Sequence, residues 1–371
     1  MSTARPPAHP PTDRAGAWLG HRLGRAVVLS YATAALLPGP GLWLRRAHSL
    51  PFGHMAQVPL RPASILLALV LFSAGLQVPV RTLGSMLRSP RAILAGLVLH
   101  LAIPLLVIPV VAFLLHQTPD SDGGSGLITA LILIVAMPVA AGATVWTRAG
   151  DGDQPTMVGL VLISTLLSPI TIPFVIGALL PLVGNGNAAA LAMSGHSTNG
   201  GFALVSVVLP CAVGLMCRFA LPTSWLNQVL GIVLPAALTG SLVLTYGNAS
   251  GALGSFLTHP RPLLLAAALA AATAVCLLSF ALGHFAGRLL RLETPSASSL
   301  TLACGMNNSS AGAVLITTAL PDKPHLLLPV LAYGLLQKAA ANRVVRRQAS
   351  RADTPIPSPG AASTSSSSTV T

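Results

Sequence analysis

Ten stretches of about 20 predominantly apolar residues follow one another along this chain, and that length and character is what an α-helix needs to cross the hydrocarbon of a bilayer. They cover approximately 26–44, 61–79, 92–115, 126–147, 156–182, 201–221, 228–246, 262–285, 297–319 and 324–342. Inside lipid every backbone N–H and C=O must find a partner within its own structure, so segments of this kind are read as helices. With 53% hydrophobic and 8% charged residues, the remainder supplies too few solvated groups to cover a water-soluble surface. The expected fold class is an all-α membrane protein with the lipid bilayer as its first partner.

Charge placement orients the spans. An N-terminus on the cytoplasmic side puts 16 of the 21 Lys and Arg residues on that side and 5 on the other, as the positive-inside rule requires. The expected location is the cell (inner) membrane, multi-pass, with both termini cytoplasmic. The net charge of +13 is explained by this topology. No basic face interleaved with aromatics points to nucleic acid. Residues 1–25, rich in Pro, Arg and Ala, read as a disordered tail, and the apolar run after them comes too late and runs too long for a cleavable signal. Residues 343–371 begin basic, end in Ser, Thr and Pro, and read as a second disordered tail. Cys211, Cys217, Cys276 and Cys304 stand singly in apolar stretches, without the spacing of a zinc site.

Two spans break at mid-depth into small and polar residues: Ala136-Met137-Pro138-Val139-Ala140-Ala141-Gly142-Ala143-Thr144 in the fourth, and Ala303-Cys304-Gly305-Met306-Asn307-Asn308-Ser309-Ser310-Ala311-Gly312 in the ninth. Irregular backbone at that depth survives only against protein or a wet cavity, and transporters bind cargo in such cavities. Ten spans divide into two sets of five, and an odd number per set inverts the second relative to the first. The reading is therefore two inverted five-helix repeats, 26–183 and 196–342, with discontinuous, crossing helices 4 and 9. Leu37-Pro38-Gly39-Pro40-Gly41 in the first span is echoed weakly by Leu209-Pro210-Cys211-Ala212-Val213-Gly214 in the sixth.

All eight carboxylates, Asp13, Asp120, Asp122, Asp151, Asp153, Glu293, Asp322 and Asp353, fall in loops, ends or tails. That argues against a carboxylate proton relay, an acidic cation cage or paired catalytic acids within the membrane. His100 is the ionisable group nearest the middle of a span. It is read either as a proton carrier or ligand contact, or as a neutral imidazole bonded to a carbonyl freed by Pro104. Asn307, Asn308, Ser309 and Ser310 form the densest polar cluster in any span and must face inward, as contacts for an anion at a helix end or as interhelical glue. Thr144 and Thr147 are the polar residues beside the fourth-span break. Gln337 and Lys338 lie about a turn from the expected cytoplasmic end of the tenth span, where Lys338 either snorkels to the interface or lends positive charge to a cavity.

Leu71-Phe72-Ser73-Ala74-Gly75-Leu76, Arg88-Ser89-Pro90-Arg91, Gly152-Asp153, Ser164-Thr165-Leu166-Leu167-Ser168-Pro169 and Gly305-Met306-Asn307-Asn308, taken in order, resemble the bile acid:sodium symporter family over roughly 26–342. The resemblance implies ten helices in two inverted repeats, a panel and a core domain, crossed unwound helices 4 and 9, and transport of organic anions, often with sodium. It also implies an ion site around Cys304, Met306, Asn307 and Thr144. Here Ala143-Thr144 stands where sodium-coupled members have Ser-Asn, and Ala303 where they have Glu. Met157 and Val161 fall near their fifth-helix hydroxyls, and His100 near a third-helix Gln. Sodium is therefore expected to couple weakly or not at all, and no other cofactor is expected.

The expected function is secondary active transport of a small or amphipathic organic anion, with Asn307, Asn308, Thr144, Ser309, His100, Gln337 and Lys338 at the site. A proton-coupled or uncoupled carrier and a non-transporting membrane sensor remain open alternatives. An enzyme is disfavoured, because no nucleophile elbow, His-Glu-x-x-His run or membrane Asp pair is present.

Overall fold

A computed structural model of the protein describes residues 25–352 other than 47, 53–55, 79–83, 85–89, 116–124, 194–200, 259 and 261. The expected N-terminal tail to residue 24, and the second tail beyond 352, lie outside the described residues.

The first two helices, α1 (Arg25–Leu36) and α2 (Pro38–Arg45), meet at 97°. Pro38 accounts for the corner, because it has no N–H to give to the preceding turn and its ring clashes with that turn's carbonyl. A β-hairpin follows, β1 (His48–Phe52) antiparallel to β2 (Ala56–Leu60), with His48 opposite Leu60. It lies in the loop between the first two expected spans, where Pro51 and Pro59 disfavour a helix, and the spans themselves are helical.

The helices continue as α3 (Pro62–Leu76), α4 (Pro90–Leu115), α5 (Ser125–Val135), α6 (Ala143–Ala149), α7 (Gln154–Leu179, prolonged by a 3-10 turn to Leu182) and α8 (Asn185–Met193). After them come α9 (Leu209–Ala220, entered through a π-helical turn Ala203–Val208), α10 (Thr223–Thr258), α11 (Pro262–Leu289), α12 (Thr294–Gly305), α13 (Ser309–Ala319) and α14 (Leu327–Ala352). By length and composition α4, α7, α9 with its π turn, α10 and α11 can each cross a bilayer, as can the bent α1–α2 pair if it is one span. α3, α5 and α13 are apolar but shorter.

Two boundaries differ from expectation. α10 does not end at 246 but runs to Thr258, through Asn248. α14 does not end at 342 but runs to Ala352. Ala, Gln and Arg beyond 342 are good helix formers, and the extension places Lys338 near the middle of its helix. Pro104 and Pro109 in α4, and Pro169 and Pro173 in α7, lie inside continuous helices. The two echoed prolines sit differently: Pro38 opens α2 after the corner, whereas Pro210 lies in the first turn of α9, which continues from the π turn as one span.

Packing sorts the helices into two groups. In one, α10 lies against α2 and α3, and α3 against α9; in the other, α11 lies against α4, α12 and α14, and α4 against α7. The α3–α9 crossing is backbone on backbone: a Cβ at Gly75 would sit 2.1 Å from the Cys211 carbonyl oxygen, and one at Gly214 2.1 Å from that of Phe72. Only glycine allows this approach, which gains dispersion contacts where lipid offers no hydrophobic drive.

Candidate functional site

Both expected breaks exist, and they meet. Helix α5 stops at Val135 and α6 starts at Ala143, with Pro138 between them unable to donate; α12 stops at Gly305 and α13 starts at Ser309. The freed groups pair with each other. Ala140 N–H donates to the Met306 carbonyl at 2.8 Å and Asn308 N–H to the Pro138 carbonyl at 3.0 Å, so that Val139 and Asn307 form an antiparallel bridge. Val139 N–H donates to Ser164 Oγ on α7 at 3.1 Å.

Helix α14 satisfies what remains. Asn307 N–H donates to Gln337 Oε1 at 3.0 Å, and Asn307 Nδ2 donates to Tyr333 Oη at 3.1 Å. Tyr333 in turn donates to the Gly305 carbonyl at 3.1 Å. Tyr333 is fully buried, and Asn307 and Gln337 are each 3% exposed. A buried polar group without a partner costs about 1–3 kcal/mol, so this closed network fixes the shape of the break. Asn308 accepts from Ala311 N–H at 3.1 Å and thereby caps α13, restarting the helix three residues after it stopped. Gly305 is dictated by Phe280: a Cβ there would lie 2.2 Å from the ring.

Beside the second break lies a cavity of about 30 Å³, lined by Tyr31, Thr245, Asn248, Ser309, Ser310, Ala313, Val330, Leu331, Gly334 and Lys338. Its walls come from α10 of one helix group and α14 of the other, with α1 and α13 completing them. Tyr31 Oη reaches across to the Leu331 carbonyl at 3.3 Å. The lining has an ammonium, four hydroxyls and an amide, and no carboxylate. That is an environment for a small anionic or hydroxylated group.

The substrate-site residues expected from sequence divide into four sets. Ser309 and Lys338 line the cavity. Asn307 and Gln337 form the network behind it, and Gln337 Nε2 lies 3.4 Å from Ser309 Oγ. Asn308 is half-buried and occupied as a cap. Thr144 donates its hydroxyl to the Ala141 carbonyl at 2.8 Å, within its own turn, and His100 is buried on α4 at 7% exposure; neither lines the cavity. Met306 and Cys304 are 2% and 4% exposed, and the Met306 carbonyl already accepts from Ala140. Ala303, Ala143, Met157 and Val161 are buried apolar side chains.

Sequence reasoning missed Tyr31, Thr245 and Asn248. Ending the seventh span at 246 hid the signal: Thr245 and Asn248 stand three apart and share one face of α10, and Asn248 is 4% exposed. Tyr333 was missed too; four residues before Gln337, it lies on the same helix face.

Residues 64–259 match the Sodium Bile acid symporter family. Two Bacillus subtilis (strain 168) proteins are similar over most of their length. The "Uncharacterized sodium-dependent transporter YocS" is 24% identical over 299 residues, 77% of this chain and 85% of its own. The "Uncharacterized protein YbaS" is 25% identical over 284 residues, 74% of this chain and 84% of its own. The family and YocS are named as transporters rather than enzymes. A match over more than half of the sequence, joined to the apolar helices and the crossed breaks, makes this chain a member of the sodium bile acid symporter family.

Proposed function

We propose that the protein is a secondary transporter of a small or amphipathic organic anion, built as ten membrane helices in two inverted five-helix repeats and working by alternating access. The cavity carries this reading. Lys338 supplies a positive charge there when protonated, and the hydroxyls of Tyr31, Thr245, Ser309 and Ser310 with the Asn248 amide supply orienting hydrogen bonds. An ammonium in a poorly solvated cavity attracts an anion more strongly than one in water.

At about 30 Å³ the cavity holds on the order of two waters, so an organic anion enters only when the walls separate. The walls belong to different helix groups, which supports opening by movement of one group against the other around the crossed breaks.

Sodium coupling is weak or absent in this reading. A sodium ion needs several oxygen ligands, and Ala303, Ala143, Met157 and Val161 offer no side-chain oxygen. Pro138 and Met306 carbonyls are engaged by Asn308 and Ala140 N–H groups. YocS carries a sodium-dependent name, so the difference from it is a direct test.

The experiment is a thermal-shift screen of organic anions, a bile acid among them, on detergent-purified protein in sodium and in potassium, followed by uptake of the best ligand into proteoliposomes. The expected ligand stabilises equally in both salts, fails to stabilise Lys338→Gln and still stabilises Lys338→Arg. Uptake that demands a sodium gradient refutes the coupling proposal, and undiminished stabilisation of Lys338→Gln refutes the site.

A further inference from the structure

Asn248 differs from most of the polar residues that line the Lys338 cavity. Tyr31 gives its hydroxyl proton to the Leu331 carbonyl, Thr245 gives its own to the Ser241 carbonyl at 2.8 Å, and Ser309 Oγ receives Gln337 Nε2. Asn248 is only 4% exposed, yet its amide has no hydrogen-bond partner among the described residues. The same holds of the Lys338 ammonium and the Ser310 hydroxyl.

The backbone that carries Asn248 is fixed. A Cβ at Gly41 of α2 would lie 2.1 Å from Ser250 Oγ, and one at Gly247 3.6 Å from the Gly41 carbonyl oxygen. Ser250 donates to the Tyr246 carbonyl at 2.9 Å, and Tyr246 Oη donates to the Leu37 carbonyl at 2.5 Å. This stretch of α10 is therefore pinned to α2 on both sides of Asn248.

An ammonium only donates, whereas an amide presents donors at one end and an acceptor at the other. An ionised carboxylate only accepts, so it can serve Lys338 but has nothing to give the Asn248 oxygen. Water can serve that oxygen in a polar cavity, but a cargo that displaces the water without replacing its bond loses affinity. A buried acceptor left unmet is costly. The cargo must therefore bring a hydrogen-bond donor as well as its charge. A cationic amine would stand beside Lys338 in a lining without a carboxylate, which leaves a hydroxyl, a group that takes the place of one water. The cavity holds on the order of two waters, so hydroxyl and carboxylate lie side by side.

We propose that Asn248 sets the specificity of this cavity, and that the cargo is a hydroxy acid whose hydroxyl sits on one of the two carbons next to its carboxylate. The carboxylate lies at Lys338 and Ser310, and the hydroxyl donates to the Asn248 oxygen. The inference rests on the anion-transport reading above and narrows it.

The test titrates the full chain in detergent with sodium salts of matched acids at constant ionic strength: glycolate against acetate, lactate against propionate, and 3-hydroxybutyrate against butyrate. Melting temperature is read against concentration. Wild type is expected to respond to at least one hydroxy acid at a midpoint about tenfold or more below that of its parent acid. Asn248→Leu, similar in size but without hydrogen bonds, is expected to bring the two midpoints within about twofold by weakening the hydroxy acid. Lys338→Gln is expected to raise both midpoints together and keep their ratio. Alanine, which carries an ammonium in place of the lactate hydroxyl, is expected to give no response. Equal midpoints for hydroxy and parent acids in wild type overturn the proposal and leave the anion site at Lys338 standing, as does a preference that survives Asn248→Leu. If no acid of the series shifts wild type, the proposal falls as well. A response to other organic anions that Lys338→Gln abolishes then preserves the transport reading, and the lack of one ends both.

Discussion

The two breaks solve one problem in different ways. The first, from Ala136 to Gly142, is an apolar stretch whose backbone is satisfied by the opposite strand and by Ser164. The second, from Met306 to Asn308, is braced by side chains of α14 and borders the polar cavity. Backbone pairing makes them partners in shape, while the chemistry is concentrated in the second. An unwound segment is therefore a scaffold first, and the residues around it decide whether it also presents a site.

That contrast can be broken most forcefully at Tyr333. Tyr333→Phe removes the acceptor for Asn307 Nδ2 and the donor to the Gly305 carbonyl, stranding two buried groups at about 1–3 kcal/mol each. A large fall in melting temperature is expected, and an unchanged melting curve would show that the network does not hold the break. Gly305→Ala, which must push aside the Phe280 ring, should destabilise by about 1–3 kcal/mol through overpacking. Its counterpart Gly142 has right-handed helical dihedrals and open space where a Cβ would go, so Gly142→Ala should be neutral or stabilising by up to about 1 kcal/mol. Equal effects from the two alanines in denaturation experiments would erase the distinction between the breaks.

Asn308→Ala loses the cap on α13 and is expected to cost about 1 kcal/mol. Asn308→Asp should restore most of that, read as recovery of thermal stability; failure of the rescue would mean that the amide is needed for something other than capping. The smallest effect belongs to Thr144→Val, within about 0.5 kcal/mol, because this hydroxyl serves only its own turn. A marked loss of anion stabilisation in this variant would bring the first break into the site.

Much of this was legible in the sequence, and for definite reasons. Interrupted apolar runs announce themselves, because polar residues such as Asn307 and Asn308 have no business at that depth unless protein or water receives them. Their separate roles were not legible. Whether an asparagine amide caps a helix or joins a network depends on which neighbour arrives, and Tyr333 and Gln337 arrive from a helix far along the chain. Helix ends were the weakest reading: the polar Thr245-Tyr246-Gly247-Asn248 run looks like an exit from the membrane but lies inside a helix that continues, with Thr245 and Asn248 on the face that lines the cavity. The same error hid the far wall of the cavity. Lys338 was expected near a helix end because Arg343, Arg346 and Arg347 suggested one, where the helix in fact carries on to Ala352.

Helix α14 touches the second break through Tyr333 and Gln337, and further along the side chains of Val345 and Gln348 press on Gly150, just after α6. One stiff rod is thus held at the second break and again just past the short helix that follows the first. Lys338 rides on that rod between the two contacts, so in the proposed transport cycle a captured anion would travel with the junction as fastened luggage, and the surface it slides past would be the one presented by Tyr31, Thr245 and Asn248.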